Sequence, residues 1–373
     1  MKLLENLKLN KKFLREFDYI TIIAVICIAL LGCVTIYSAT YKVYGNHYFK
    51  MQGIFLILGL IMVYLFLVFD YMLIENYAVI IYWAGVIFLI INHFFGSTIN
   101  GAKSWITIGS TGIAVQPSEF AKIGMIIMLA KKIDEMEGKI NNPKNLLQLI
   151  MYAAIPMILI YKQPDMGMTM VSFFIVLGIV FIAGLDWKII IAGMTSILLL
   201  LIGVWNSSII KPYQKTRLTS FLNPTQNTTS SGLQLAQSTL TVGSGGLVGR
   251  GFLKGTQFKN IPENYTDFVF AVLCEERGLI GVLILLLLYG IIIYRLIKIA
   301  KDSKDVFGTI ISVGLVSNLI FSIFQNIGMN IGITPITGIT LPFMSYGGSS
   351  LLTSFMLLGL VLNIGMRRKK INF

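Results

Sequence analysis

The sequence predicts an all-α, polytopic membrane protein with ten transmembrane helices and with both termini in the cytoplasm. Hydrophobic residues make up 55% of the 373 residues, and charged residues only 13%. The apolar residues gather in several runs of about 20, the length that a helix needs to cross a bilayer. A soluble core could not accommodate so many runs of this kind, so we assign the chain to the helical membrane proteins.

The predicted spans follow the apolar runs in chain order. They cover residues 19–39, 52–69, 73–95, 117–131, 147–161, 165–185, 187–205, 267–294, 306–326 and 343–366. The fourth and fifth runs are the shortest, which leaves a tilted, broken or incompletely spanning helix open at these positions. We treat residues 1–373 as a single integral membrane domain.

The basic residues predict the orientation. Four clusters lie at the N-terminus, after the fourth span, after the eighth span and at the C-terminus. They comprise Lys2, Lys8, Lys11, Lys12 and Arg15; Lys131, Lys132, Lys139 and Lys144; Arg295, Lys298, Lys301 and Lys304; and Arg367, Arg368, Lys369 and Lys370. Short basic loops stay in the cytoplasm, and two cytoplasmic termini agree with an even number of spans.

This orientation leaves residues 206–266 as one large extracytoplasmic loop between spans seven and eight. The loop is also basic, but long loops are exempt from the rule. Because the net charge of +13 is spread over loops between spans, it reflects topology, and we exclude nucleic-acid binding. The remaining polar motifs fall at the predicted outer surface, so any chemistry is expected to face outward. They are GAKSW at 101–105, QPSEFAK at 116–122, QPD at 163–165 and GITPITGITLPFMSYGGSS at 332–350.

The stretch 243–281 joins a glycine-rich basic loop to an apolar run that we expect to form one uninterrupted helix. Asp267 lies at the junction, and Asn264 and Thr266 are candidate caps for the helix. Two interpretations of Asp267 stay open. Its carboxylate either stabilises the first helical turn through the macrodipole or, with cations such as Arg250, contacts a substrate with a phosphate head and a lipid tail.

Further ionisable residues are predicted inside the membrane, where charges pair with one another or line a cavity. Glu119 and Lys122 are three positions apart on one helix face and can neutralise each other. Glu275, Glu276 and Arg277 can satisfy one another locally in the same way.

Two further residues have both a structural and a functional interpretation. Trp105 is either an interfacial anchor or a platform on which a sugar stacks. Asp165 follows a proline and either caps the sixth span or belongs to a site.

Eight motifs in this order resemble the SEDS family (shape, elongation, division and sporulation) of bacterial cell-wall polymerases, over essentially the whole chain. They are GAKSW, QPSEFAK, QPDMG, RLTSFLNP, QLAQSTLTVGSGGLVGRG, GTQ, PENYTDFVFAVLCEERGLIG and PFMSYGGSS. The GTQ at 255–257 and the short N-terminus favour the elongation member over the division and sporulation members. The chain departs from the family at Ser104, often Arg, and at Tyr265, usually His.

The resemblance implies a peptidoglycan glycosyltransferase that polymerises lipid II and releases undecaprenyl pyrophosphate. Asp267 matches the family's essential aspartate and is our candidate general base. Positive charge near the leaving group would come from a divalent cation, Mg²⁺ or Mn²⁺, for which no metal-ligand spacing is visible, or from basic side chains. The basic candidates are Lys103, Lys122, Arg217 and Arg250. Trp105, Glu119 and Asp165 match family motifs and are expected to shape the substrate cavity.

The resemblance also implies partners: a class B penicillin-binding transpeptidase and other membrane proteins of the elongation complex. Two other classes of function stay open. A lipid II flippase would explain the many spans and intramembrane charges, although the charges crowd the outer half. A scaffold that only assembles the elongation machinery would leave Asp267 replaceable.

Overall fold

The computed structural model describes residues 15–99, 102–107, 114–205 and 230–368. This part of the chain is mostly helical. The helices are α1 (Tyr19–Tyr44), α2 (His47–Val68), α3 (Tyr71–Asn76), α4 (Ala78–Phe95), α5 (Pro117–Glu135), α6 (Pro143–Lys162), α7 (Met166–Ile182), α8 (Trp187–Trp205), α9 (Ser230–Ser244), α10 (Val269–Lys301), α11 (Val306–Asn330) and α12 (Gly348–Met366). A 3₁₀ turn covers Gln257–Asn260.

A helix is found at each of the ten predicted spans. Among the described residues, seven helices are long and apolar enough to cross a membrane, namely α1, α2, α4, α6, α10, α11 and α12. The chain is therefore a multi-pass membrane protein. The third predicted span, 73–95, is divided at Tyr77 into the short helix α3 and α4. The helix α9, which lies inside the predicted outer loop, was not predicted.

Several helices begin where the sequence supplies a cap. Asp18 accepts a hydrogen bond from the main-chain N–H of Thr21, 3.2 Å away, at the start of α1. Asp305 accepts one from the N–H of Gly308 at 2.7 Å and starts α11. Each cap binds an N–H group that has no partner within its own helix, which locates the helix start.

Helices α11 and α12 form the centre of the bundle, because most of their side chains are buried. Helix α2 packs along α12, while α7 and α10 pack along α11. Other faces, such as those of α2 and α4, keep large apolar side chains exposed, as expected of helices that face lipid.

Ion pairs gather the ends of three helices at one end of the bundle. Arg295 at the C-terminal part of α10 donates to Asp18 at 2.8 Å. Arg368 lies 3.3 Å from Glu16 and 3.7 Å from Asp302. The beginning of α1 and the end of α12 therefore lie together, as expected if both termini face the same side of the membrane.

The sequence predicted helices alone, but the segment around Trp105 forms a small antiparallel sheet. Its strands are β1 (Ser97–Ile99), β2 (Ala102–Thr107) and β3 (Ala114–Val115), in the order β1-β2-β3. Trp105 pairs with Ser97. Strands of two to six residues are too short to give a clear alternating pattern, which is why the apolar-run analysis missed them.

Helix α10 is not the uninterrupted helix that the sequence predicted, because it is broken at Gly278. This residue has φ 63°, a left-handed conformation that glycine adopts without strain. The glycine loop 245–251 fills the break. Arg250 N–H donates to the carbonyl of Glu275 at 2.8 Å, and Leu279 N–H donates to the carbonyl of Gly246 at 3.0 Å. The loop thus satisfies main-chain groups that the break leaves without helical partners.

Candidate functional site

Asp267 lies in a turn that ends one residue before α10 begins, and its side chain is half-buried. The prediction that Asn264 or Thr266 caps α10 is wrong. Asn264 donates to the carbonyl of Phe258, and Thr266 donates to the carbonyl of Glu263. Phe268 occupies the N-cap position without a side-chain capping bond. Asp267 therefore lies outside α10, just before the N-terminus of the helix.

Two buried asparagines of α11 bind the main chain of Asp267. Asn326 Nδ2 donates to the Asp267 carbonyl at 2.8 Å, and Asn330 Nδ2 donates to the same carbonyl at 3.2 Å. Both asparagines have 0% exposed surface. Neither asparagine is predicted as a site residue from the sequence, although two amides four residues apart at the end of an apolar helix are an available signal.

The segment that connects α11 to α12, residues 331–347, lies against Asp267. A Cβ atom added to Gly338, which has φ +74°, would be 3.4 Å from Asp267 Oδ2. Tyr346 N–H donates to the carbonyl of Tyr265 at 3.0 Å. This uncharged, Gly- and Pro-containing segment therefore forms part of the wall around the carboxylate.

The same segment also approaches Asp165. Asp165 caps α7 by accepting from Met168 N–H at 3.0 Å, and its other oxygen accepts from Gln116 Nε2 at 2.9 Å. A Cβ atom on Gly167 would lie 2.7 Å from the carbonyl of Thr337. Asp165 and Asp267 thus lie beside the same connecting segment. The cap interpretation of Asp165 is confirmed, and Gln116 is a neighbour that the sequence did not reveal.

Glu119 and Lys122 form the predicted ion pair. Lys122 Nζ lies 2.8 Å from Glu119 Oε2, and each residue is only 4% exposed. Thr353, in the first turns of α12, donates to the same carboxylate oxygen at 2.8 Å. The two charges therefore compensate each other inside the bundle, and Thr353 joins α5 to α12.

Lys103 and Trp105 are both on β2. Lys103 Nζ donates to the carbonyls of His93 and Phe94 at 2.9 and 3.1 Å, at the C-terminus of α4. A cation there also complements the helix dipole. Trp105 is partly exposed. These contacts hold the strand against α4 and leave part of the indole accessible.

Arg250 contacts Thr256, in the loop that precedes Asp267 in the chain, and Glu275 of α10. Its Nη1 lies 3.4 Å from Glu275 Oε1 and donates to Thr256 Oγ1 at 2.8 Å. Glu275 also accepts from three consecutive main-chain N–H groups of the loop, those of residues 256–258, at 2.7–2.9 Å. Arg217 lies outside the described residues.

The predicted local pairing of Glu275, Glu276 and Arg277 is wrong, because each of them binds another part of the chain. Glu275 is satisfied by the loop, and Glu276 accepts from Ser38 of α1 and from Leu253 N–H. Arg277 stacks over Phe252, with 5.9 Å between the guanidinium carbon and the ring centroid. The three residues therefore join α10 to α1 and to the preceding loop.

Three tyrosines, Tyr48, Tyr265 and Tyr346, pack against one another, and Tyr265 precedes Asp267 by two residues. The rings of Tyr48 and Tyr265 are 4.6 Å apart, and those of Tyr48 and Tyr346 are 4.9 Å apart. Burial raises the pKa of Tyr346 to about 12. Burial and the hydrogen bond with Tyr48 raise the pKa of Tyr265 still further. Both phenols are therefore neutral at pH 7.

The carboxylate of Asp267 is a candidate ligand for the divalent cation that the family resemblance implies. Among the described residues, no group of three or more His, Cys, Asp or Glu residues forms a preformed metal cluster. Mg²⁺, however, is commonly held by one or two carboxylates together with substrate phosphates. The half-buried Asp267 supplies one such carboxylate.

The fold and the site together define a class of protein. It is a multi-pass helical membrane protein with a half-buried aspartate at the N-terminus of a helix that is broken at a glycine. The chain belongs to the FtsW/RodA/SpoVE family, whose model, described as "Cell cycle protein", matches residues 18–370. This confirms the resemblance found in the sequence.

Named relatives cover most of the chain. Stage V sporulation protein E of Bacillus subtilis is 35% identical over 93% of this chain and 96% of that protein. Peptidoglycan glycosyltransferase MrdB of Escherichia coli is 36% identical over 80% of each chain.

Solved structures agree with the fold. A chain from a study titled "Structural coordination of polymerization and crosslinking by a peptidoglycan synthase complex" matches with a TM-score of 0.83 and 31% identity, over 94% of this chain and 98% of that one. The rod shape determining protein RodA of Thermus thermophilus matches with a TM-score of 0.72 and 29% identity, over 95% and 98%.

Proposed function

We propose that this protein is a peptidoglycan glycosyltransferase that polymerises lipid II into glycan strands, and that Asp267 is its general base. Relatives named peptidoglycan glycosyltransferase support the activity. The observation that carries the assignment of Asp267 is its position: a half-buried carboxylate outside the helix, with its main chain held by Asn326 and Asn330.

The reaction is one inverting displacement. The 4-hydroxyl of the GlcNAc on one lipid II attacks C1 of the MurNAc on the growing glycan, whose bond to undecaprenyl pyrophosphate breaks. Asp267 accepts the hydroxyl proton, and the pyrophosphate leaves with the bonding electron pair. A single displacement needs one base and positive charge at the leaving group.

The leaving pyrophosphate would contact basic side chains. Lys103 and Arg250 are the candidates among the described residues, and Arg217 is a candidate from the sequence alone. Lys122 is paired with Glu119 and, with it, would shape the wall of the cavity. Trp105 would stack on a sugar, and Asp165 would hold the connecting segment. A divalent cation, Mg²⁺ or Mn²⁺, for which Asp267 is a candidate ligand, would supply further stabilisation of negative charge.

The proposal includes the topology of ten spans, with both termini in the cytoplasm and residues 206–266 outside. Ten helices at the predicted positions support it, as do the ion pairs that join the ends of α1, α10 and α12. The active site then faces outward, where lipid II carries its sugars after transfer across the membrane.

A transpeptidase partner is part of the proposal. The similarity to a chain from a peptidoglycan synthase complex supports a class B penicillin-binding transpeptidase bound in the membrane, together with other elongation proteins. We propose a role in elongation from the GTQ motif at 255–257.

Purified protein supplied with lipid II tests the activity. We expect glycan strands from the wild type and from Asp186→Asn, and polymerisation slowed by about 10²- to 10⁴-fold in Asp267→Asn at equal expression. Asp186 is a matched control because it lies beyond the end of α7, opposite the end capped by Asp165. Movement of lipid II between leaflets without polymer would favour the flippase, and full activity of Asp267→Asn would contradict the assigned base.

A further inference from the structure

The buried side chain of Asn326 makes two hydrogen bonds to main-chain carbonyls. Its side-chain amide has two N–H donors. One donates to the main-chain carbonyl of Asp267 at 2.8 Å, and the other donates to the carbonyl of Ile339 at 2.7 Å. Asn326 therefore joins the turn that carries Asp267 to the connecting segment 331–347, and it does so with no exposed surface.

Asn330 lies one helical turn further along α11 and also binds the main chain of Asp267. Its Nδ2 donates to the Asp267 carbonyl at 3.2 Å, and its Oδ1 accepts from Ala271 N–H at 3.2 Å. In a regular helix the carbonyl of residue 267 would accept directly from the N–H of residue 271. Here Ala271 N–H also donates to the carbonyl of Phe268 at 3.0 Å, so the first turn of α10 closes on Phe268. The amide of Asn330 binds both the Asp267 carbonyl and the Ala271 N–H, which keeps Asp267 outside the helix.

We propose that Asn326 is a positioning residue for Asp267, with Asn330 in support. The pair fixes the distance between the Asp267 carboxylate and the connecting segment, whose Gly338 lies beside Oδ2. This inference rests on the proposed function, in which Asp267 acts as a base. A displacement of about 1 Å in a catalytic group can cost about 100-fold in rate, so such a contact would act on kcat rather than on substrate binding.

The experiment compares Asn326→Ala and Asn330→Ala with Asn318→Ala in the full-length purified protein. Asn318 is a matched control: it is on α11, is 2% exposed, and its Oδ1 has no hydrogen-bond partner among the described residues. Eight residues separate it from Asn326, about 12 Å along the helix. The control therefore reproduces the loss of a buried amide from α11 without touching Asp267.

The first readout is kinetic. We expect Asn326→Ala to lower kcat for lipid II polymerisation by about 10- to 100-fold with little change in KM. Asn330→Ala, which leaves both bonds of Asn326 in place, should give a smaller loss of kcat. Asn318→Ala should retain the wild-type kcat. If Asn326 only stabilised the fold, Asn326→Ala and Asn318→Ala would lose thermal stability to the same extent. Asn326→Ala would then show no selective loss of kcat relative to KM.

The second readout does not depend on activity. Modification of Asp267 by a carbodiimide and an amine, measured by peptide mass spectrometry, reports how often its half-buried carboxylate becomes accessible. Loss of Asn326 should raise the rate about threefold or more, because the turn opens more often without its hydrogen bonds. The control should match the wild type.

The outcomes separate the two proposals. Unchanged labelling and unchanged kcat in Asn326→Ala, or equal changes in Asn318→Ala, would overturn the positioning role. If Asn326→Ala is labelled faster but Asp267→Asn polymerises lipid II at the wild-type rate, the proposed function is overturned. Asn326 is then a structural contact only. If Asn326→Ala does not fold, Asn330→Ala is judged by the same two readouts.

Discussion

Charged side chains in this protein are held by groups from distant parts of the chain. Glu119 is bound by Lys122 and by Thr353, 234 residues away. Glu275 is bound by the N–H groups of the loop that precedes its helix. Because a buried charge is costly unless several groups compensate it, these contacts explain how the bundle keeps ionised residues in its interior.

The Glu119–Lys122 pair gives a prediction at this scale. Removing one partner leaves a buried charge, which typically costs about 3–5 kcal/mol, whereas replacing both partners by residues of similar volume is often close to neutral. We therefore expect Lys122→Met to lower the melting temperature in detergent more than the double variant Glu119→Gln/Lys122→Met. A double variant less stable than Lys122→Met would contradict this account of the pair.

Asp18 gives a prediction about pH. Burial alone would raise the pKa of Asp18, but the hydrogen bonds from Arg295 and Thr21 outweigh it and lower the pKa. A lowered pKa means that the folded state binds the proton less tightly than the unfolded state, so the contribution to stability is present at neutral pH and is lost on acidification. The advantage of wild type over Asp18→Asn in thermal unfolding should be constant from about pH 5 to 8 and should shrink below about pH 4. Asparagine can still cap α1, which isolates the effect of the charge.

Among the elements, α10 has the most consequential departure from regular structure. Its 33 residues would extend about 50 Å, more than the bilayer thickness, and the break at Gly278 divides them. The part after the break is long enough to span the membrane. The part before it is buried among α1, α9 and α11, and it carries Asp267 at its mouth.

Gly278→Ala tests the docking of the glycine loop into this break. A Cβ atom at this position would lie 2.4 Å from Gly249 N, and φ is +63°. We expect a loss of thermal stability and a lower polymerisation rate, because the loop that bears Arg250 must move. Gly290→Ala is the matched control on the same helix, since a Cβ atom there meets nothing within 4 Å. Equal behaviour of the two variants would show that the close approach at Gly278 is unimportant.

At the scale of the whole molecule, the apolar runs were sufficient to locate the ten long helices, because a run of about 20 apolar residues is a strong signal. They could not reveal contacts between remote segments. The break at Gly278 depends on a loop that docks from outside the helix, and the sheet around Trp105 depends on pairing between very short strands. The candidate site was predicted at Asp267, while Asn326 became visible only when α11 was placed beside it.

The topology gives a prediction for intact cells. In a background with Cys27, the exposed cysteine, changed to Ser, a membrane-impermeant thiol reagent should label Lys259→Cys but not Lys139→Cys. Both positions are exposed, so accessibility to the reagent then depends on the side of the membrane. After permeabilisation both variants should be labelled. Labelling of Lys139→Cys in intact cells would reverse the proposed orientation.

The most direct test of the account is the rate of lipid II polymerisation by purified Asp267→Asn, measured beside lipid II binding. General-base catalysis contributes about 10²- to 10⁴-fold, so we expect a rate loss in this range with binding retained. A rate within about threefold of wild type, in a variant that folds and binds lipid II normally, would contradict the assignment of Asp267 as the base.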